Sequence, residues 1–155
     1  MSRPKISLGM AFYDDSVGVR STLQQYRIFH ADVMDQVELI VVDNHPDSKH
    51  GQDVRNLCGH ITRSGQKCRY MTCNEVGTSQ SREMVFREAE GEWVFCTDSH
   101  IELDSDPRYP PHTLRRLLDW IEENGDSKDL ITGPMVYDDL KAYNTHYDDV
   151  WNEGT

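Results

Sequence analysis

The chain of 155 residues lacks any apolar run near the ~20 residues that a membrane-spanning helix needs, and residues 1–5 lead into a strand-like segment without the apolar stretch of a signal peptide. These absences predict a chain with no integral membrane segment, residing in the cytoplasm. Basic residues are also in short supply: 16 Lys and Arg stand against 27 Asp and Glu, a formal charge of -11. Proteins that grip nucleic acid use clustered cations on the phosphates, so no nucleic-acid partner is expected. A small phosphate-bearing ligand would instead need a metal ion or helix N-termini to offset its charge. The deficit is uneven, since residues 98–155 carry 14 acids against 5 bases and residues 1–97 carry 13 against 11. Cysteine is scarce too, and four thiols without an export signal read as reduced side chains and not as a disulfide framework.

Sequence signatures are missing as well. There is no internal repeat, no low-complexity segment, no GxGxxG, no Walker motif and no GxSxG. That removes the usual dinucleotide, P-loop and hydrolase readings of an α/β sheet. What is present is a globular composition, with 37% hydrophobic and 28% charged residues, and a length suited to one domain.

Strand-like and helix-like segments alternate along it. Residues 5–11 read as a strand and 17–29 as a helix, with Val19, Leu23 and Tyr26 at helical spacing. Val37 to Val42 form a near-continuous apolar run, the pattern of a strand covered on both faces. Residues 52–61 place Val54, Leu57, Cys58 and Ile61 on one helical face, 68–72 form a weaker strand, and 78–89 a helix that Gly91 ends. Residues 93–97 make a fourth strand. Pro110 and Pro111 introduce a helix carrying Leu114, Leu117, Leu118 and Ile121, stopped by Asn124 and Gly125, and a last strand is expected near 130–137. This alternation implies an α/β fold, a mainly parallel sheet with helices on both faces. Ligands of such sheets bind beyond the carboxyl ends of the strands, which directs attention to residues 12–15, 43–47, 74–77 and 98–102.

Two of those segments carry candidate chemistry. Asp43 and Asn44 follow the buried strand, where a carboxylate can accept from a base N–H or from ribose hydroxyls; an Asx turn closing the strand is the alternative. Asp98 and His100 flank Ser99 after the fourth strand. Side chains two apart in an extended segment project to one side, so an Asp oxygen and a His nitrogen could share one octahedral cation. A turn acid and a surface imidazole are the plainer reading.

The order Gly77, Thr78, Ser79, Gln80, Ser81, Arg82, then a helix, then Ala89-Glu90-Gly91, an apolar strand and Asp98-Ser99-His100 with Glu102 resembles the family 2 glycosyltransferases. Their pattern is a glycine, an Arg at a helix start, an A-x-G break, a strand and D-x-D. The D-x-H form here looks like that of the polypeptide N-acetylgalactosaminyltransferases. The resemblance implies a GT-A fold whose nucleotide-binding half is laid on residues 5–137, giving a domain over 1–137 and an acidic segment over 138–155. It implies a nucleotide-sugar donor such as a UDP-sugar, and Mn²⁺ or Mg²⁺ on Asp98 and His100. Phe12, Tyr13, Asp43, Asn44, Arg82 and Asp98 are then the candidate nucleotide-binding residues.

The family's chains continue well past this point, and the acid that serves as base in inverting transfer lies in that later half. The chain is therefore expected to be part of a longer product, or to use a partner chain or a second copy. Asp138, Asp139, His146, Asp148 and Asp149 are candidates for acceptor-side work or a third metal ligand, with a solvated acidic tail as the plainer reading, and no catalytic residue is named. Two other readings compete with the enzyme: a nucleotide-sugar-binding remnant without turnover, and a small interaction module holding structural zinc on Cys58, His60, Cys68 and Cys73.

Overall fold

A computed structural model describes residues 3–75, 77–104, 112–131, 135–136 and 143–144. It divides into two compact units, Met1–Glu123 and Asn124–Thr155.

The first unit is a four-stranded, wholly parallel sheet in the order β3-β2-β1-β4. Its elements run β1 (Ile6–Phe12), α1 (Ser16–Phe29), a short 3₁₀ turn (Met34–Gln36), β2 (Val37–Asp43), α2 (Lys49–Arg63), β3 (Cys68–Thr72), α3 (Thr78–Glu88), β4 (Trp93–Asp98) and α4 (Thr113–Glu123). Each expected strand and helix of this unit is present with ends shifted by at most three residues. β2 is buried along its whole length, as its continuous apolar run implies.

Strand alternation divides the core between two faces. Val37, Leu39 and Val41 of β2 join Ile6, Leu8, Met10 and Phe12 of β1 against α1, α2 and α4. Ile40 and Val42 face the other way, with Val85 of α3. β1 is lopsided: its residues toward α3 are the small Ser7, Gly9 and Ala11. A Cβ at Gly9 would lie 2.0 Å from Val85 Cγ1, so only glycine lets α3 settle this close to the sheet.

One strongly polar feature interrupts the apolar interior, at the amino end of the sheet. Glu38 of β2 has no exposed surface. One of its carboxylate oxygens accepts from Ser7 Oγ at 2.5 Å and from Glu90 N at 2.6 Å, and the other lies 3.5 Å from both Lys67 Nζ and Arg69 Nη1. Burial pushes this carboxyl up, but the hydroxyl, the amide and the two cations outweigh it and hold it below the usual range. Gly91 N donates to Ser7 Oγ at 2.8 Å, and a Cβ at Gly91 would meet Ser7 N at 2.6 Å. The Ala89-Glu90-Gly91 break is thus the place where the chain leaving α3 docks on a buried carboxylate.

The second unit contains an antiparallel pair, β5 (Met135–Val136) with β6 (Tyr143–Asn144). Of the strand expected over 130–137, the described residues show Met135 and Val136 paired in an antiparallel ladder, while Leu130 and Ile131 are exposed and outside any strand. Among the described residues no helix is long and apolar enough to cross a membrane.

Candidate functional site

A cleft of about 230 Å³ opens beyond the carboxyl ends of β1 and β4, where the sheet rule places a ligand. Phe12, Tyr13, Arg82, Asp98 and His100, five of the residues singled out from sequence, line it together with Asp15. A larger cavity of about 690 Å³ lies along α2 and β3, near Arg55, Arg63 and Tyr70; it contains no carboxylate or imidazole for a cation.

Asp98 is the last residue of β4, and Ser99 and His100 turn directly after it. The shared side of Asp98 and His100 therefore does not come from strand alternation, as the extended-segment argument supposed, but from a turn. That turn is pinned by α1: Thr22 Oγ1 donates to the Ser99 carbonyl at 2.9 Å and Gln25 Nε2 to the Leu103 carbonyl at 2.7 Å. Ser99 is buried, whereas the side chains of Asp98 and His100 remain 44% and 70% exposed.

Arg82, one turn into α3, forms an ion pair with Asp98 across the cleft. The acids nearest it on the surface of α3, Glu83 and Glu88, are paired with Arg87 instead. Gly77 precedes α3 with φ 114°, a conformation suited to glycine, and supplies no side-chain cap. The first turn of α3 thus begins beside the cleft at Thr78 with no cap from Gly77 on its amides.

Tyr13 is 66% exposed and stacks on His45, ring centroids 5.1 Å apart and planes 13° from parallel. His45 is steered by Asp14, whose two carboxylate oxygens each lie 3.0 Å from its Nδ1. Asp14 takes the left-handed conformation, φ 51°, which Asp tolerates better than most residues. The Ser48 hydroxyl and the His45 ring hold its carboxyl below the usual range. Phe12, by contrast, is buried in the core and touches the cleft only from beneath.

Asp43 and Asn44 are not in the cleft wall. Asp43 is fully buried; it accepts from His45 N at 2.7 Å, closing an Asx turn, and from Tyr70 Oη at 2.5 Å. Asn44 donates to the Cys73 and Glu75 carbonyls and accepts from Ser81 Oγ, tying the segment after β3 to α3. Both residues brace the loops around the cleft.

The zinc quartet is not gathered. Cys58 and Cys68 neighbour each other on one face of the sheet, Cys73 packs on the other, and the exposed His60 pairs with Arg63. Among the described residues no group of three or more His, Cys, Asp or Glu is arranged to hold a metal ion. Asp138, Asp139, His146, Asp148 and Asp149 lie outside the described residues.

Asp15 falls within residues 12–15, one of the strand ends to which the sheet rule directs attention, but the sequence carries no hint of its partner Ser99, 84 residues away.

The chain has counterparts among known proteins. No curated protein sequence matches it significantly. Among solved structures it is similar to S. aureus TarS residues 1-349, with a TM-score of 0.62 and 20% identity over 78% of this chain and 33% of that one. The same TarS fragment in complex with UDP-GlcNAc gives 0.62 and 20%, over 78% and 32%. The mannosyltransferase PcManGT from Pyrobaculum calidifontis, in complex with GDP-Man and Mn²⁺, gives 0.61 and 20%, over 88% and 36%. At such identities the likeness establishes the fold, and the chain spans about a third of the length of each of these solved chains. The sequence model described as glycosyl transferase family 2 matches residues 19–154. With that match over most of its length and a parallel sheet shared with these glycosyltransferases, the chain belongs to glycosyl transferase family 2 and has the α/β GT-A fold.

Proposed function

We propose that these residues form the donor-binding part of a glycosyltransferase that moves a sugar from a nucleoside diphosphate, a UDP-sugar, to an acceptor. The observation that carries this reading is the convergence of Tyr13, Arg82, Asp98 and His100 on one cleft at the carboxyl ends of β1 and β4. The similar structures solved with UDP-GlcNAc and with GDP-Man and Mn²⁺ support it.

The donor set fits a divalent cation. A carboxylate and an imidazole, both exposed to the cleft, suit Mn²⁺ or Mg²⁺, and two protein donors leave the rest of the shell to diphosphate oxygens and water. When bound, such an ion offsets the charge that develops on the leaving diphosphate. Arg82 can exchange Asp98 for a phosphate oxygen and so follow the charge as the ligand arrives. The amides at the start of α3, which Gly77 does not cap, offer further donors to the diphosphate. The outer face of Tyr13, backed by His45, is a platform for the base. Asp43 and Asn44 act by holding the loops that carry these groups. No residue is assigned the role of catalytic base.

Calorimetric titration of UDP, with and without Mn²⁺, tests the reading. Metal-dependent binding is expected in the wild type, with affinity falling at least about tenfold in Asp98→Ala and in His100→Ala. A folded wild-type chain that binds no UDP in either condition would refute the uridine-donor reading.

A further inference from the structure

Asp15 stands where β1 hands over to α1, and it is held from two directions. Its Oδ1 accepts from Gly18 N at 2.8 Å, capping α1. Its Oδ2 accepts from Ser99 Oγ at 2.9 Å and lies 3.8 Å from His100 Nδ1. With Thr22 and Gln25 on the Ser99 and Leu103 carbonyls, α1 grips the segment that follows β4 at three points. Those contacts bury Ser99 and leave Asp98 and His100 facing the cleft.

We infer that Asp15 is the positioning residue of the D-x-H motif, fixing the turn through Ser99 and presenting its carboxylate to the Nδ1 side of His100. The inference rests on the reading of Asp98 and His100 as cation donors. An imidazole that ligates through one nitrogen must carry its proton on the other, and a carboxylate beside that second N–H fixes the tautomer, orients the ring and raises the basicity of the ligating nitrogen. Among the described residues Asp15 is the acid that faces His100 Nδ1, from 3.8 Å, and a small rotation of the exposed ring would bring the two within hydrogen-bond reach. The Ser99 hydroxyl then has a purpose although it does not ligate: it ties the turn between the two donors to the same carboxylate. Asp15 does not need to touch the cation or the sugar.

The contact to Gly18 separates this role from simple support of α1. Asn and Ser cap helices about as well as Asp, so Asp15→Asn and Asp15→Ser preserve the helix start. Asn removes the charge, and Ser removes both the charge and the reach to Ser99. The measurement is Mn²⁺ affinity in the presence of UDP, read from the paramagnetic resonance signal of free Mn²⁺, alongside UDP affinity without metal and the thermal midpoint. Both variants are expected to lose about 10- to 100-fold in Mn²⁺ affinity, while metal-free UDP affinity and the thermal midpoint stay at wild-type values. Asp15→Glu, which keeps the carboxylate, is expected to recover part of the loss. Wild-type Mn²⁺ affinity in both folded variants would overturn the role of Asp15 alone. Absence of Mn²⁺ binding from the wild type as well would overturn the reading of Asp98 and His100, and this inference with it.

Discussion

The approach of α3 to the sheet can be tested by filling the space that Gly9 leaves open. In Gly9→Ala the new methyl would sit 2.0 Å from Val85 Cγ1 and 3.1 Å from both Val85 Cβ and Cγ2. Rotating Val85 offers little relief, because a β-branched side chain in a helix is confined to one χ1 and the second methyl is also close. The helix must lift by roughly 1 Å or more, an overpacking that costs about 1–3 kcal/mol. Val85→Ala alone removes two fully buried methyl groups, worth about 1.6 kcal/mol at ~0.8 kcal/mol each, before any cavity term. In the double variant the Gly9→Ala methyl occupies the vacated space. The combined loss should then fall short of the sum of the two single losses by about 1–2 kcal/mol. Urea unfolding of the four proteins measures this directly. Losses that add to within about 0.5 kcal/mol would show that α3 is not seated by this contact. Arg82 lies one turn before Val85, so Gly9→Ala should also weaken UDP binding, and the double variant should restore part of it.

Two further perturbations probe buried polar groups. His30 is fully buried, with neither ring nitrogen hydrogen-bonded among the described residues, and meets His112 edge-on with ring centroids 6.0 Å apart. Burial, with the second imidazole adding to it, holds its pKa below the ordinary 6.5 against the opposing pull of Asp32 and Asp104. The unfolded chain therefore takes up the proton first; the stabilisation is complete above about pH 6.5 and is lost as pH falls through the folded-state value. His30→Phe is expected to flatten that part of the profile of thermal midpoint against pH, and an unchanged slope would count against it. Tyr70→Phe removes a hydroxyl donor from the buried carboxylate of Asp43 and should cost about 1–3 kcal/mol in urea unfolding, with no loss at all refuting the bond.

The architecture of the first unit could be read in advance because it rests on repetition. Apolar residues recurring at helical spacing gave α1, α2 and α4, and the unbroken run from Val37 to Val42 announced a strand buried on both faces. The order of Arg82, the A-x-G break and Asp98-Ser99-His100 located the cleft. Contacts that join single polar side chains across the chain leave no periodic trace. Glu38 reads as one polar interruption in an apolar strand, and nothing local shows that it meets Ser7, 31 residues before, and the amide of Glu90, 52 residues after. The inward turn of Asp43 was equally hidden, since one acid after a strand satisfies both a ligand and an Asx turn on paper; its bond to Tyr70 appears only when β3 is laid beside β2. Ile131 has strand propensity yet lies outside any strand, because propensity says nothing about whether a ladder partner exists.

The carboxylate of Glu38 has a consequence for how the A-x-G break tolerates change. It addresses the main-chain amide of residue 90, so its own bond does not depend on the middle letter, whose side chain here pairs separately with Lys67 and Arg69, whereas the third letter is restricted to glycine by the wall of β1. A search pattern built on the break alone therefore discards half of its own meaning. Pairing Gly91 with an acid at the second position of β2 would describe the joint by its two physical partners, and would separate chains that close the turn in this way from those in which the same three letters occur by chance.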